Sequence, residues 1–335
     1  MERENNYVKG AILSASDAES IRLAGRIIKS GGLVAFPTET VYGLGCDAMN
    51  AEAAAKVFEA KQRPQFDPLI VHIADLKQLE IVIGALPDLG QRLIDTFWPG
   101  PLTLVLPKQP SIPDLITAGL STVAVRMPNH PVAQTLIREA DTPIAAPSAN
   151  LFGYVSPTTA QHVAAGLGST VNLILDDGPC PIGVESTIVS LAGSQPELLR
   201  PGSITIEQLS AVIGAIRRSV SVNHKPIAPG QLSRHYATQT PLTILASAGA
   251  RPILKDDERA GLLIHSHQKD SDNRFAAVEV LSPTGDLREA ARHLFAALRR
   301  LDSLGLDRIY AEPCREEGLG VAIMDRLRRC ATLLM

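Results

Sequence analysis

Short apolar runs that alternate with amphipathic stretches constrain this chain more than any other feature. "PLIVHI" (68–73), "LTLVL" (102–106), "TVAVRM" (122–127), "VNLIL" (171–175) and "STIVSL" (186–191) are rich in aliphatic and β-branched residues and are bounded by Gly, Pro, Asp or Asn. Runs of this length and composition read as buried strands. Helical patterns lie between them at "DLGQRLIDTF", "PVAQTLIREA" and "TTAQHVAAGL". Strands that alternate with helices indicate an α/β fold. The alternation is too loose to demand a wholly parallel sheet, so a large twisted mixed sheet with helices is expected.

Helix ends are also marked. In "SDAESIRLAGRIIKSGG", Ser16 and Glu19 fit a capping box and Gly31-Gly32 stop the helix. Asn50 is placed to cap "AEAAAKVFEA". A last helix of this part covers "ITIEQLSAVIG". From Arg217 to Pro241, "RRSVSVNHKPIAPGQLSRHYATQTP" has no apolar period and several breakers, which marks a linker. Beyond it, "LTIL", "GLLIH", "AAVEVL" and "RIYAE" read as strands, and "DLREAARHLFAALRRLDSL" and "GVAIMDRLRRCATLL" as amphipathic helices. The expected organisation is a first domain over 1–213, a linker over 214–240 and a smaller α/β domain over 241–335. With 335 residues there is apolar material for two cores.

Several function classes lack their signatures. No Walker A sequence is present, and "YGLGCDA" and "GLGVAIMDR" each lack the third glycine of a dinucleotide fingerprint. Cys46, Cys180, Cys314 and Cys330 show no C-x-x-C spacing and read as reduced thiols of a cytoplasmic protein. The polar start "MERENNYVKG" does not read as a signal peptide, and no apolar run is long enough to span a bilayer. His265 and His267 flank one serine and are more readily a surface loop than a metal site. The net charge of −3 and the 4% aromatic content argue against an RNA-gripping module.

Anion chemistry remains. In "KQRPQFDPLIVHI", Lys61 and Arg63 precede a strand and could cradle phosphate or could end a solvated helix. "FPTETVYGLG" places Thr38, Glu39 and Thr40 after a strand and before Gly43 and Gly45. It is either a close backbone approach to a ligand or an ordinary strand-to-helix turn. Arg126 closes an apolar strand and needs an anion, from a ligand carboxylate or from an internal salt bridge. Arg200 in "ELLRPGS" lies at another strand end.

Taken in order, "FPTETVYGLG", K-x-R-P with "PLIVHI", "TVAVRMP", "APSAN" with "SPT", "ESTIV" and "LLRPG" resemble the YrdC-like family. "APGQLSRHYA" and "GLGVAIMDRL" resemble the linker and C-terminal domain of its long-form threonylcarbamoyl-AMP synthases. The resemblance implies a YrdC-like catalytic domain and a smaller Rossmann-like C-terminal domain. It implies that L-threonine, bicarbonate and ATP, with Mg2+, give threonylcarbamoyl-adenylate and pyrophosphate. A downstream transferase complex would then modify tRNA beside the anticodon. Contact with tRNA or double-stranded RNA is left open, and no membrane is involved.

Carried over by resemblance, Lys61 and Arg63 face the phosphates. Thr40, His72, Arg126, Ala146 and Ser186 surround threonine. Asp67, Thr122, Ser148, Asn150, Ser156, Arg200, His235 and Tyr236 join Arg63 around the nucleotide. Asp67 stands where relatives often carry Asn or His, Gln231 and Thr238 where Met and Pro are frequent, and Asp325 where Asn is. The cations of an empty cavity repel one another, so removing Lys61 or Arg63 is expected to leave ligand-free stability nearly unchanged.

Overall fold

The computed structural model describes residues 8–219, 226–231, 236–266 and 273–331. The chain begins with β1 (Ala11–Ser14), α1 (Ala18–Lys29), β2 (Val34–Phe36), β3 (Gly43–Asp47), α2 (Ala51–Lys61) and β4 (Ile70–His72). It continues through α3 (Leu76–Val82), α4 (Asp88–Phe97), β5 (Leu102–Pro107), α5 (Asp114–Thr117), β6 (Thr122–Arg126), α6 (Pro131–Ala140) and β7 (Ile144–Ala145). Then follow α7 (Ala160–Leu167), β8 (Leu173–Asp176), β9 (Thr187–Ser190), β10 (Glu197–Arg200), α8 (Ile206–Ile213) and β11 (Arg217–Arg218). These strands form one mixed sheet in the order β1-β8-β2-β3-β7-β4-β6-β5-β9-β10-β11. The second sheet comprises β12 (Leu242–Ile244), β13 (Ala260–Ser266), β14 (Ala277–Ser282) and β15 (Arg308–Ala311), in the order β12-β15-β13-β14 and parallel throughout. Helices α9 (Leu287–Asp302) and α10 (Gly320–Ala331) pack against it. The fold is therefore α/β, with a large mixed sheet and a smaller second unit.

Two local expectations change. The cap of α1 is Asp17, whose carboxylate accepts the Glu19 N–H at 3.0 Å; Ser16 bonds back to Ser14 instead. Asp17 stands one residue nearer the first turn, where its oxygen can reach an orphan N–H. "GLGCD" is a strand: β3 pairs antiparallel with β2 and β7. "PTETVY" is thus a strand-to-strand loop, not the start of a helix. The glycines there serve packing, since a Cβ on Gly45 would fall 2.8 Å from both Ile144 and Phe36. Asn50 caps α2 through the N–H groups of Glu52 and Ala53. His265 ends β13, and His267 lies outside the described residues. No helix among the described residues is long and apolar enough to cross a membrane.

The two units share a core. Val41, Val155 and Val184 from the first pack with Leu294, Phe295, Leu298, Ile323 and Leu327 from the second. The approach is close enough to require glycine at 183. Its φ is +82°, and a Cβ would lie 2.4 Å from the Arg292 Cα. Polar contacts fix the orientation. Tyr154 Oη donates to Asp302 at 2.5 Å, and Asp302 accepts the N–H groups of Gln239 and Thr240 at 3.1 and 2.8 Å. Arg299 donates to the carbonyls of Val155 and Ser156.

Candidate active site

The loop between β2 and β3 is buried along its length, so its polar groups must find partners inside the protein. Thr38 supplies them. Its Oγ1 donates to the Val41 carbonyl at 2.7 Å, and it accepts the N–H groups of Thr40 and Val41. This loop, together with the ends of β4, β6 and β10 and the segments flanking β7 and β9, encloses a cavity. Its walls include Thr38, Thr40, Gly43, Arg63, His72, Arg126, Ala146, Ser148, Glu185, Ser186, Arg200, Pro229, Gly230 and Tyr236.

All five residues expected around threonine line this cavity: Thr40, His72, Arg126, Ala146 and Ser186. The β4–β6 register sets His72 directly beside Arg126. Arg126 is buried. It donates to Thr40 Oγ1 at 3.0 Å and to the Gly100 carbonyl at 3.2 Å, and it pairs with Glu39 Oε1 at 2.6 Å. An internal partner for Arg126 therefore exists, and the guanidinium still reaches the cavity. Burial, aided by the nearby Arg126, pushes His72 down to about 3, so its imidazole is neutral around pH 7.

Among the residues expected around the nucleotide, Arg63, Ser148, Arg200 and Tyr236 line the cavity. Arg200 is buried and donates to the Ser186 carbonyl and hydroxyl, each at 3.1 Å, and to the Pro229 carbonyl at 3.4 Å. All three acceptors are neutral. Burial lowers the Arg200 pKa, so an incoming anion would stabilise its charge.

Lys61, Asp67, Asn150 and Ser156 are buried and lie outside the lining. Lys61 is buried, and Nζ donates to the Ser148 carbonyl at 2.5 Å and also to the Asn150 carbonyl. Its reach is thus spent on fixing the "APSAN" loop, and burial holds its ammonium well below the usual lysine range. Asp67 is fully buried and pairs with Arg63 at 2.8 Å. The acid that stood out in the sequence is therefore the counter-ion of the cavity arginine. Asn150 Nδ2 turns to the carbonyls of Leu151 and Tyr154. Ser156 donates its hydroxyl to Glu185. Thr122 opens β6 opposite Pro107, away from the lining. His235 lies outside the described residues. Glu185, which sequence reasoning passed over, is buried in the wall; only its place within "ESTIV", beside Ser186, could have signalled it.

Residues 26–202 match the family described as telomere recombination (Sua5, YciO and YrdC). Residues 204–332 match the one described as the C-terminal domain of threonylcarbamoyl-AMP synthase. The chain belongs to the threonylcarbamoyl-AMP synthase family. It is 44% identical to the Pyrococcus abyssi threonylcarbamoyl-AMP synthase over 318 residues, 93% of this chain and 94% of that one. With the Bacillus subtilis protein of the same name it is 44% identical over 338 residues, 95% and 94% of the two chains. The solved structure of P. abyssi Sua5 complexed with L-threonine is similar at a TM-score of 0.86 and 42% identity, covering 93% of this chain and 94% of that one. A P. abyssi Sua5 variant with a histidine and a tyrosine changed to alanine gives 0.87 and 40%, covering 96% of each chain.

Near-neutral stability on losing Lys61 or Arg63 does not fit these contacts. Arg63→Ala strands the buried Asp67 carboxylate and is expected to cost about 3–5 kcal/mol of ligand-free stability. Arg63→Ala with Asp67→Ala should regain much of that loss. Urea denaturation of both variants checks this, and an unaltered midpoint for Arg63→Ala would refute the pairing.

His72 sets a pH window. Its native pKa of about 3 lies below an unfolded value near 6.5, so between these only the unfolded chain takes up the proton. Its contribution is full above pH 6.5 and is lost as pH falls toward 3, by up to about 1.4 kcal/mol per pH unit. His72→Gln should flatten the fall in urea midpoint between pH 6.5 and 4. His162, pushed down to about 4 by burial, leaves a residual slope in both proteins.

Proposed function

We propose that the protein is a threonylcarbamoyl-AMP synthase, joining L-threonine, bicarbonate and ATP into threonylcarbamoyl-adenylate with release of pyrophosphate. The observation that carries the reading is a single cavity in which Arg126, Thr40 and neutral His72 stand together, with Arg63 and Arg200 in the same walls. Arg126 offers its guanidinium to the threonine carboxylate, and Thr40 and His72 meet its polar groups. Arg63 and Arg200 take the phosphates, and Ser148 adds a neutral contact. Lys61 acts through the loop that it holds.

The threonine nitrogen, as the free amine, adds to the carbon of CO2 and gives up a proton to form a carbamate; starting from bicarbonate, the C–O bond to the departing oxygen breaks and that oxygen leaves as water. A carbamate oxygen then forms a bond to the α-phosphorus, and the bond to pyrophosphate breaks. This nucleophile is already an anion, so the protein need not supply a strong base at that step. It must hold two anions together and stabilise charge developing on phosphorus. Among the described residues no three His, Cys, Asp or Glu side chains gather as a metal site. The Asp67 and Glu185 carboxylates are engaged with Arg63 and Arg326. These residues do not form a cage for magnesium.

The proposal extends to organisation and place. The catalytic domain is read as 1–213, the linker as 214–240 and the C-terminal domain as 241–335, the last Rossmann-like because its strands are all parallel. A cytoplasmic protein handing its product to a threonylcarbamoyl-transferase complex for tRNA modification completes the reading. The linker is a lid. Pro229, Gly230 and Tyr236 form one wall of the cavity, which supports that reading. Displacement of that wall would admit ATP, and its return would close the site.

The direct test is pyrophosphate release. It should require threonine and bicarbonate together with ATP, with serine poorer because the methyl burial worth about 1 kcal/mol is lost. Equal release with ATP alone would refute the reading.

The lid generates its own test. Residues 229–238 should be cut by protease more slowly when ATP and threonine are bound, and His235→Ala with Tyr236→Ala should lose most adenylate formation. Unaltered cleavage at saturation with full activity of the double variant would reduce the segment to a tether.

A further inference from the structure

Arg326 projects from α10, in the second unit, and is fully buried behind the wall of a cavity built mainly by the first. Its guanidinium makes four contacts there. Nε meets Glu185 Oε2 at 2.9 Å, and Nη1 donates to the Pro201 carbonyl at 2.9 Å and to Asp325 Oδ2 at 2.7 Å. The guanidinium carbon lies 5.1 Å from the centre of the Tyr236 ring. Each contact beyond Asp325 fixes a piece of the wall. Glu185 lines the cavity and is held from its other oxygen by Ser156. Pro201 follows Arg200, whose guanidinium lines the cavity and also holds Pro229. Tyr236 is the linker's aromatic wall residue; it also stacks on Phe295 with ring centres 5.5 Å apart.

The backbone at Tyr236 shows that its position is imposed. Its φ is +65°, a conformation a bulky residue keeps only where its surroundings hold it. A Cβ at Gly230 would come within 2.9 Å of the Tyr236 hydroxyl and 3.1 Å of the Arg200 side chain, so the ring is packed against the rest of the wall. A planar guanidinium can satisfy a carboxylate and a carbonyl in its plane while offering its face to an aromatic ring, which an ammonium cannot do.

We propose that Arg326 is a positioning residue for the nucleotide end of the site: it defines the place to which Tyr236 returns on closure and fixes Glu185 and the Arg200–Pro201 turn behind it. The second unit thereby contributes to the reaction through Arg326, beside the packing of Phe295 on Tyr236. A purely structural alternative is that Arg326 only neutralises Glu185.

This rests on the proposed function, and the experiment separates the two. Adenylate formation, melting temperature and the KM values for ATP and threonine are measured for the wild-type protein, Arg326→Met, Glu185→Gln, the double variant and Arg326→Lys. Arg326→Met should melt lower because it strands Glu185, and the double variant should regain most of the loss. In both, KM for ATP should rise tenfold or more while KM for threonine stays within threefold. Arg326→Lys keeps the charge and loses the fork, so it should stay folded and still raise KM for ATP at least threefold. The proposal is overturned by a folded double variant with wild-type KM for ATP, by equal rises in both KM values, or by a wild-type KM for ATP in Arg326→Lys. Absence of adenylate from the wild-type protein would instead remove the functional reading on which it stands.

Discussion

Excess buried positive charge is the constraint on which the rest of this structure depends. Arg63, Arg126, Arg200 and Arg326 are buried around one cavity, and the buried carboxylates beside them are Asp67, Glu39 and Glu185. Each carboxylate takes one arginine, which leaves Arg200 with neutral acceptors. A charge removed from water is costly unless it is paired and hydrogen-bonded. Arg63, Arg126 and Arg326 are therefore each tied to a carbonyl or hydroxyl as well as to an acid, and Arg200 to carbonyls and a hydroxyl alone. Arg326 meets a second acid, Asp325, so the charge not directly paired is that of Arg200; on the proposed function an anionic substrate would pair it.

That constraint also explains the mixture of parallel and antiparallel strands at the centre of the large sheet. The parallel β4–β6 pair brings His72 and Arg126 side by side, whereas the antiparallel β2–β3 pair leaves a loop whose Thr40 and Glu39 reach the same guanidinium. A wholly parallel sheet would need a long crossover between β2 and β3, which would carry the chain away from this point. Here Phe36 faces Gly43, and the six residues between them fold into the site as a buried loop tied by Thr38.

Much of this architecture was legible in the sequence because it depends on local signals. The apolar runs became strands, Asn50 capped its helix and Arg126 closed its strand at the cavity, all from composition and short-range spacing. The family resemblance supplied the threonine-side residues, which the fold does bring together. What stayed hidden depends on long-range packing. Asp67 looked like an anion misplaced among phosphates, since nothing in "KQRPQFD" shows that Gln62, in a left-handed conformation, turns Arg63 toward the buried acid. The ligand-free partners of Lys61 were hidden too, since its acceptors are carbonyls at Ser148 and Asn150, nearly ninety residues on. "GLGCD" looked like a turn because glycine weakens any strand signal, and only contact with Phe36 and Ile144 shows why glycine is needed. Glu185 and Arg326 are 141 positions apart, and no local pattern joins them.

The same physics bears on why such a site can work without an acid–base cassette. The best-placed titratable ring, His72, is kept neutral by burial and by Arg126, so near pH 7 it can orient a proton or share one but does not contribute charge. The Arg126–Glu39 pair is neutral overall, which lets it meet a zwitterionic amino acid without favouring either end through net charge alone. The attacking carbamate brings its own negative charge, and the leaving pyrophosphate carries its charge away. What remains for the protein is to hold both partners in line in a place that excludes water, with fixed dipoles and guanidinium groups already oriented. On the proposed function a wall that can move would serve both steps, opening to admit ATP and closing to keep water from a labile adenylate. On the proposed reading the linker would meet both needs, where a rigid strand in its place would meet only one.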